Sequence, residues 1–324
     1  MPRKAPPPPL TISPPAREYV QMVSQFSGAP DMPKHDAGTQ VWLDWIAGVN
    51  ENIVAAFGAR ASNSPMEQTQ FEIDGVPTYV FTPESVTDSS SAPIYIDVHG
   101  GGLTCGAGEA CIVLTKGDMV DLPVITWAPD YRMPPLHPYP VGLDDLMAVY
   151  RKALDEREPR DILVHGGSAG GNLAAALLLR AKDEGLPMPA ALVLATPEVD
   201  LTESGDSFVT NDGLDQVLSS LMEANLLYAN GHALTDPYIS PIFGDLRGFP
   251  PTYLMTGTRD LFLSNTVLMH RALRRAGVAA WLNVWDAMSH GGFGGNSSED
   301  QDIKRELTGF ARYHLRLNQD TLGS

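Results

Sequence analysis

Short apolar runs rich in β-branched and aromatic residues recur along the chain at 94–98, 124–127, 162–164, 192–194, 253–255 and 280–284. Segments with apolar residues at helical spacing, among them 143–154, 169–181 and 264–276, separate most of these runs. Strands covered on both faces read as nearly unbroken apolar runs, and strands that alternate with helices form a mainly parallel sheet with right-handed crossovers. The pattern predicts an α/β fold, a sheet flanked by helices. A hairpin precedes it: in 71–81, FEIDGVPTYVF, the pair Asp74-Gly75 is a tight-turn signal between two alternating segments, so the sheet starts antiparallel. Further upstream Trp42, Trp45, Ile46, Val49 and Ile53 share one helical face, which must lie on something.

A chain of 324 residues, 43% of them hydrophobic, can bury a large core, and one α/β domain with insertions accommodates every run. Its 39 acidic and 22 basic residues leave a formal charge of −17, which repels phosphate backbones and anionic lipid. Neither nucleic acid nor a membrane is an expected partner. Cys105 and Cys111 cannot staple a chain of this length and lack metal-site spacing, so both read as reduced thiols, which fits a cytoplasmic location. Arg3 and Lys4 are followed by a proline run at 6–9 rather than an apolar stretch, so no signal peptide is expected. No window approaches eighteen uninterrupted apolar residues. The proline run reads as a short extended arm, and 85–91 as a polar surface loop.

In parallel sheets chemistry collects where strands end at their carboxyl termini, and three such ends carry reactive residues. In ILVHGGSAGGNLAAALLL, Gly166, Gly167, Ser168, Ala169 and Gly170 form G-x-S-x-G between a strand and a helix. That sharp turn strains the serine backbone, lifts its hydroxyl to the top of the sheet and needs glycines two residues to either side. The run IYIDVHGGG ends in His99, Gly100, Gly101 and Gly102. Glycines there let backbone N–H groups point inward. Two of them with the Ala169 N–H would make an oxyanion hole, worth roughly 3 kcal/mol per donor. His99 beside them reads as a loop-orienting histidine bonded through its ring nitrogens to nearby backbone.

The third end lies near the C-terminus, where 253–255 runs into TGTRD with Asp260, and 280–284 runs into WDAMSHGGF with His290. The resulting order of Ser168, Asp260 and His290 is that of a nucleophile, an orienting acid and a base in α/β hydrolases. Asp286, Glu198 and Asp200 compete for the acid role, and His314 is the poorer histidine because it sits in a terminal helix pattern.

The chain resembles the hormone-sensitive-lipase family of bacterial esterases, also called family IV, from about residue 71 to the C-terminus. The resemblance rests on HGGG at 99–102, DYR at 130–132 with HPYP at 137–140, and GGSAGGN at 166–172. VDLT at 199–202, DPYISP at 236–241, FPPTYLMTGTRD at 249–260 and MSHGGF at 288–293 extend it. It implies an α/β-hydrolase fold with an eight-stranded sheet and an α-helical cap, ester hydrolysis without metal or cofactor, and oxyanion donors at Gly101, Gly102 and Ala169. Four departures stand out: Gly167 where the family has aspartate, DYRMPPL for DYRLAPE, TPE with Glu198 for SPW, and one additional glycine in HGGF. None removes a catalytic atom, and Gly167→Asp is expected to keep activity.

The expected division is an arm with cap helices over 1–60 and a catalytic core over 61–324, with 203–235 contributing to the cap. Trp42, Phe208, Leu214 and Leu218 are the candidate substrate contacts, with Leu221 and Met222 beside them. The expected partner is a small, water-soluble, short-acyl ester, and the resemblance implies a homodimer by analogy. The same triad would also serve a lactonase or an amidase, and a non-catalytic ligand-binding member of the fold is the remaining alternative.

Overall fold

A computed structural model describes residues 6–24, 31–58 and 65–317. In chain order the helices are α1 (Pro14–Val23), α2 (Thr39–Phe57), α3 (Glu109–Asp118), α4 (Val141–Glu156), α5 (Ala169–Asp183), α6 (Ser207–Thr210), α7 (Met222–Ala229), α8 (Leu263–Arg275) and α9 (Ser298–His314). The strands are β1 (Met66–Ile73), β2 (Val76–Pro83), β3 (Ile94–Val98), β4 (Ile125–Pro129), β5 (Ile162–Gly167), β6 (Ala191–Ala195), β7 (Thr252–Gly257) and β8 (Ala280–Trp285). They form one sheet in the order β1-β2-β4-β3-β5-β6-β7-β8. The hairpin β1–β2 and the pair β2–β4 are antiparallel, and every later pairing is parallel. Asp74 and Gly75 both take positive φ, 50° and 84°, as a two-residue hairpin turn of this hand requires.

Alternate strand residues serve opposite layers. Ile94, Ile96, Val164, Leu192 and Leu254 face the layer built by α4, α5 and α8, through Leu143, Leu173, Leu177 and Met269. Tyr95, Leu163, Val193 and Tyr253 face the other layer, where Ala16 and Val20 of α1 meet Leu307 and Ala311 of α9. Ser13 caps α1, accepting from Ala16 N–H at 3.3 Å, and donates its own N–H and hydroxyl to Glu299 at 2.7 and 2.6 Å.

Within 1–60, expected to hold an arm and cap helices, α1 thus packs in this core layer. Ala16 and Val20 of α1 join the second core layer, where α1 packs against α9. The segment 31–58 goes elsewhere: Lys34 pairs with Glu223 of α7 at 2.9 Å, and Asn50 of α2 accepts the Gly106 N–H beyond the glycine loop at 2.8 Å. Only α6 and α7 are helical within 203–235; the remainder is turns. Among the described residues no helix is long and apolar enough to cross a membrane.

Candidate active site

β5 delivers Ser168 directly into α5. Its backbone sits at φ 57°, ψ −125°, a strained conformation of about 1–3 kcal/mol for a residue with a side chain. Neighbouring backbone holds it there: Ser168 N–H donates to Ala195 O at 2.8 Å, and Ser168 O accepts from Gly171 and Glu198 at 3.0 and 3.1 Å. A Cβ on Gly166 would lie 2.3 Å from Gly170 O, and one on Gly170 would lie 1.9 Å from Val98 O. Steric closure of the turn therefore dictates both glycines.

Loops after β7 and β8 bring the other two side chains to the serine. His290 Nε2 lies 2.9 Å from Ser168 Oγ, and His290 Nδ1 lies 3.0 Å from Asp260 Oδ1. With Nδ1–H donating to the carboxylate, Nε2 is free to accept the serine proton. Asp260 is fully buried; its Oδ2 accepts the Thr256 hydroxyl at 2.7 Å and its Oδ1 the Phe262 N–H at 3.0 Å. Burial pushes the His290 imidazole down, but Asp260, Asp215 and Glu198 outweigh it and leave the ring above its ordinary value. Three of the competing groups are engaged elsewhere. Asp286 accepts from Thr258, Asp200 from Thr202 and Ser204, and His314 packs among Phe310, Trp281 and Tyr313.

The glycine loop lies against the elbow: a Cβ on Gly100 would be 3.1 Å from Ser168 Cβ. Gly101 has φ 126°, and its missing Cβ leaves room for Cys105 O, which would otherwise be 2.0 Å away. Among the described residues neither Gly101 nor Gly102 spends its N–H on a protein acceptor, and Ala169 opens α5, where backbone N–H groups lack helical partners. Tyr131 of the DYR segment donates to His99 O at 2.8 Å and stacks on the ring of His99, with centroids 4.2 Å apart. His99 Nδ1 bonds Gly100 O at 2.7 Å as expected, but the buried Nε2 finds no partner. Burial holds this ring below its usual value, so it stays neutral and serves the loop.

The substrate candidates divide. Phe208 and Leu218 pack with Leu221, Leu261, Phe262 and Met32, and Phe262 stands edge-on to His290 at 5.0 Å. Leu221 hangs over the glycine loop, 3.4 Å from where a Gly102 Cβ would be. Leu214 is half-buried outside that cluster. Trp42 is a correction: it is fully buried, with Nε1–H donating to Lys34 O at 3.0 Å, and offers a substrate no surface. Its ring is spent joining α2 to the preceding turn.

Three further buried features lie near the triad, and of these only Glu198 stood out in the sequence. Asp215 accepts backbone N–H groups from both the Asp260 and the His290 loops. Glu198, which follows β6, is fully buried, and neither of its oxygens reaches a partner at hydrogen-bond geometry. Burial pushes it up to about 8, and the nearby Asn225 side chain offsets this only in part. Beneath the elbow, His165 Nδ1 bonds Asp97 Oδ1 at 2.6 Å, with Asp118 close by and pushed up to about 7 by burial. Asp97, Asp118 and His165 have the donor types of a cation site, as do His99, Cys111 and Asp130. In the first group the ring nitrogen is already committed to Asp97. Cys105 and Cys111 are free and buried, and burial raises both thiols, Cys105 to about 11, which makes them unreactive.

A family model described as alpha/beta hydrolase fold matches residues 95–293. An esterase of Acinetobacter venetianus is 32% identical over 215 residues, covering 63% of this chain and 69% of its own. Carboxylesterase NlhH of Mycobacterium tuberculosis is 29% identical over 227 residues, covering 67% and 70%. The crystal structure of an esterase superposes with a TM-score of 0.86 at 32% identity over 98% of both chains. A second, described as an esterase from the bacterial hormone-sensitive lipase family, gives 0.79 at 25% identity over 94% and 100%.

Proposed function

The chain belongs to the alpha/beta hydrolase fold family, among its hormone-sensitive-lipase-type esterases, and from that membership we propose that Ser168, His290 and Asp260 hydrolyse short-acyl, water-soluble carboxylic esters through an acyl-enzyme. The observation that carries this reading is the hydrogen-bonded line from Ser168 Oγ through His290 to Asp260, at 2.9 and 3.0 Å. His290 Nε2 takes the serine proton as Oγ attacks the ester carbonyl, and Asp260 stabilises the imidazolium. Gly101, Gly102 and Ala169 N–H groups hold the oxyanion. The alcohol leaves with the proton from His290, and water then repeats the sequence to free the acid. The cycle closes on these groups and water, so it calls for no metal or organic cofactor.

The cap in this reading is 31–58 with 203–235, narrower than the whole N-terminal 60 residues, and Phe208, Leu218 and Leu221 face the acyl group. A small-molecule ester is the partner, and a homodimer would show in light scattering. The deciding experiment is hydrolysis of p-nitrophenyl acetate and butyrate by wild type and Ser168→Ala. Loss of the nucleophile should lower kcat by about 10⁴-fold or more, whereas wild-type turnover in the variant would sink the mechanism. A chain-length series of nitrophenyl esters should peak at short acyl groups; a maximum at long chains would overturn that preference.

A further inference from the structure

We propose that Asp215 is a positioning residue of the triad, through which the segment over the site holds His290 in line with Ser168; this rests on the reading of Ser168, His290 and Asp260 given above. Asp215 is 4% exposed and is used at both oxygens. Oδ2 accepts the N–H of Leu261, the residue after Asp260, at 2.8 Å and the N–H of His290 itself at 3.3 Å. Oδ1 accepts the N–H groups of Val217 and Leu218 at 3.0 and 3.2 Å. One carboxylate thus joins three pieces of chain: the acid loop, the histidine loop and the 203–235 segment.

The four contacts suit a carboxylate and no neutral side chain, since all four neighbours are donors and only an ionised carboxyl accepts at both oxygens without offering a proton. The loops carrying Asp260 and His290 have no strand to fix them beyond β7 and β8, and the imidazole must meet an atom on each side within hydrogen-bond reach. Displacement by about 1 Å costs on the order of 100-fold in rate. Asn211 donates to Asp260 O at 2.8 Å, whereas Ser207 only anchors the backbone past the acid, donating to Leu261 O at 2.6 Å. Neither of them reaches His290. Asp215 touches the backbone of His290 and not its ring, so it acts on the base by placing it, and its charge adds to that of Asp260 facing the imidazole.

A mere anchor would lower stability alone, which gives the test. Asp215→Asn and Ser207→Ala are compared with wild type on p-nitrophenyl butyrate, with Tm and the pH dependence of kcat/KM measured for each. Asp215→Asn should lose about 10- to 100-fold in kcat with KM within about twofold. Its acid limb should move to lower pH, because one of the charges that raises His290 is gone. Ser207→Ala should lose Tm with kcat within about twofold of wild type. Wild-type kcat and an unmoved acid limb in Asp215→Asn would overturn the proposal, as would an equal kcat loss in Ser207→Ala. If Asp215→Asn does not fold, Asp215→Glu keeps the charge but shifts its place, and should lose kcat with the acid limb unmoved; unchanged kcat there would also overturn it. Turnover surviving in Ser168→Ala would instead overturn the triad reading itself.

Discussion

Glu198 and Gly167 both adjoin Ser168, Glu198 through its N–H to Ser168 O and Gly167 as the preceding residue, and both can be tested through their surroundings. The Glu198 carboxyl binds its proton more tightly folded than unfolded, about 8 against 4.5. Its contribution to stability is therefore fully present below pH 4.5 and is lost as pH rises to about 8. Glu198→Gln should raise Tm at pH 9 by more than at pH 5, and an equal shift at both would refute the buried-acid assignment. At Gly167 a Cβ would lie 3.7 Å from Asp118 Oδ2, so a methyl group fits but a carboxylate would face another. Gly167→Asp should keep activity within about tenfold yet lose Tm at pH 8, and Asp118→Asn should restore part of that loss. An undiminished Tm in the single variant would show that the two carboxylates do not meet. Ser168, Asp260 and His290 were legible because each follows an apolar run in a fixed chain order. Asp215 was not, since an aspartate in NDGLDQV carries no pattern and acquires its role only when two distant loops dock on it.

At the scale of elements, strands buried on both faces announced themselves by their apolar runs, and β3 matches its expected range of 94–98. The helices α4, α5 and α8 lie within a few residues of their expected bounds, because amphipathic spacing survives in α4 and α8 while α5 is an apolar run buried on nearly every side. Helix α3 gave no such signal: EACIVLTKGD is short, has buried positions on several sides and follows a glycine loop. Helix α1 gave no signal of its own, and its destination depends on α9, a helix near the far end of the chain, against which it packs. Within α2, Gly48 occupies a helix interior where an added Cβ meets nothing within 4 Å. Gly48→Ala should therefore stabilise the protein by about 0.5–1 kcal/mol through helix propensity and a less disordered unfolded chain. A fall in Tm would mean that the glycine serves a contact outside the chain.

For the whole molecule, the order in which the site's pieces are made differs from the order in which they act. The nucleophile elbow follows the fifth strand, at the middle of the sheet, whereas acid and base follow the last two strands at one edge. His290 stands 122 residues after Ser168, the residue its ring reaches. A chain emerging from the ribosome can build its central parallel strands and strained serine well before it owns a histidine to use them. Because parallel pairing between distant segments is slow, the edge strands β7 and β8 should be late arrivals on refolding as well. Ester turnover regained after dilution from urea should therefore lag behind far-ultraviolet circular dichroism. A chain ending before residue 290 would lack His290 and remain inert, which makes the reaction itself a reporter of completed assembly.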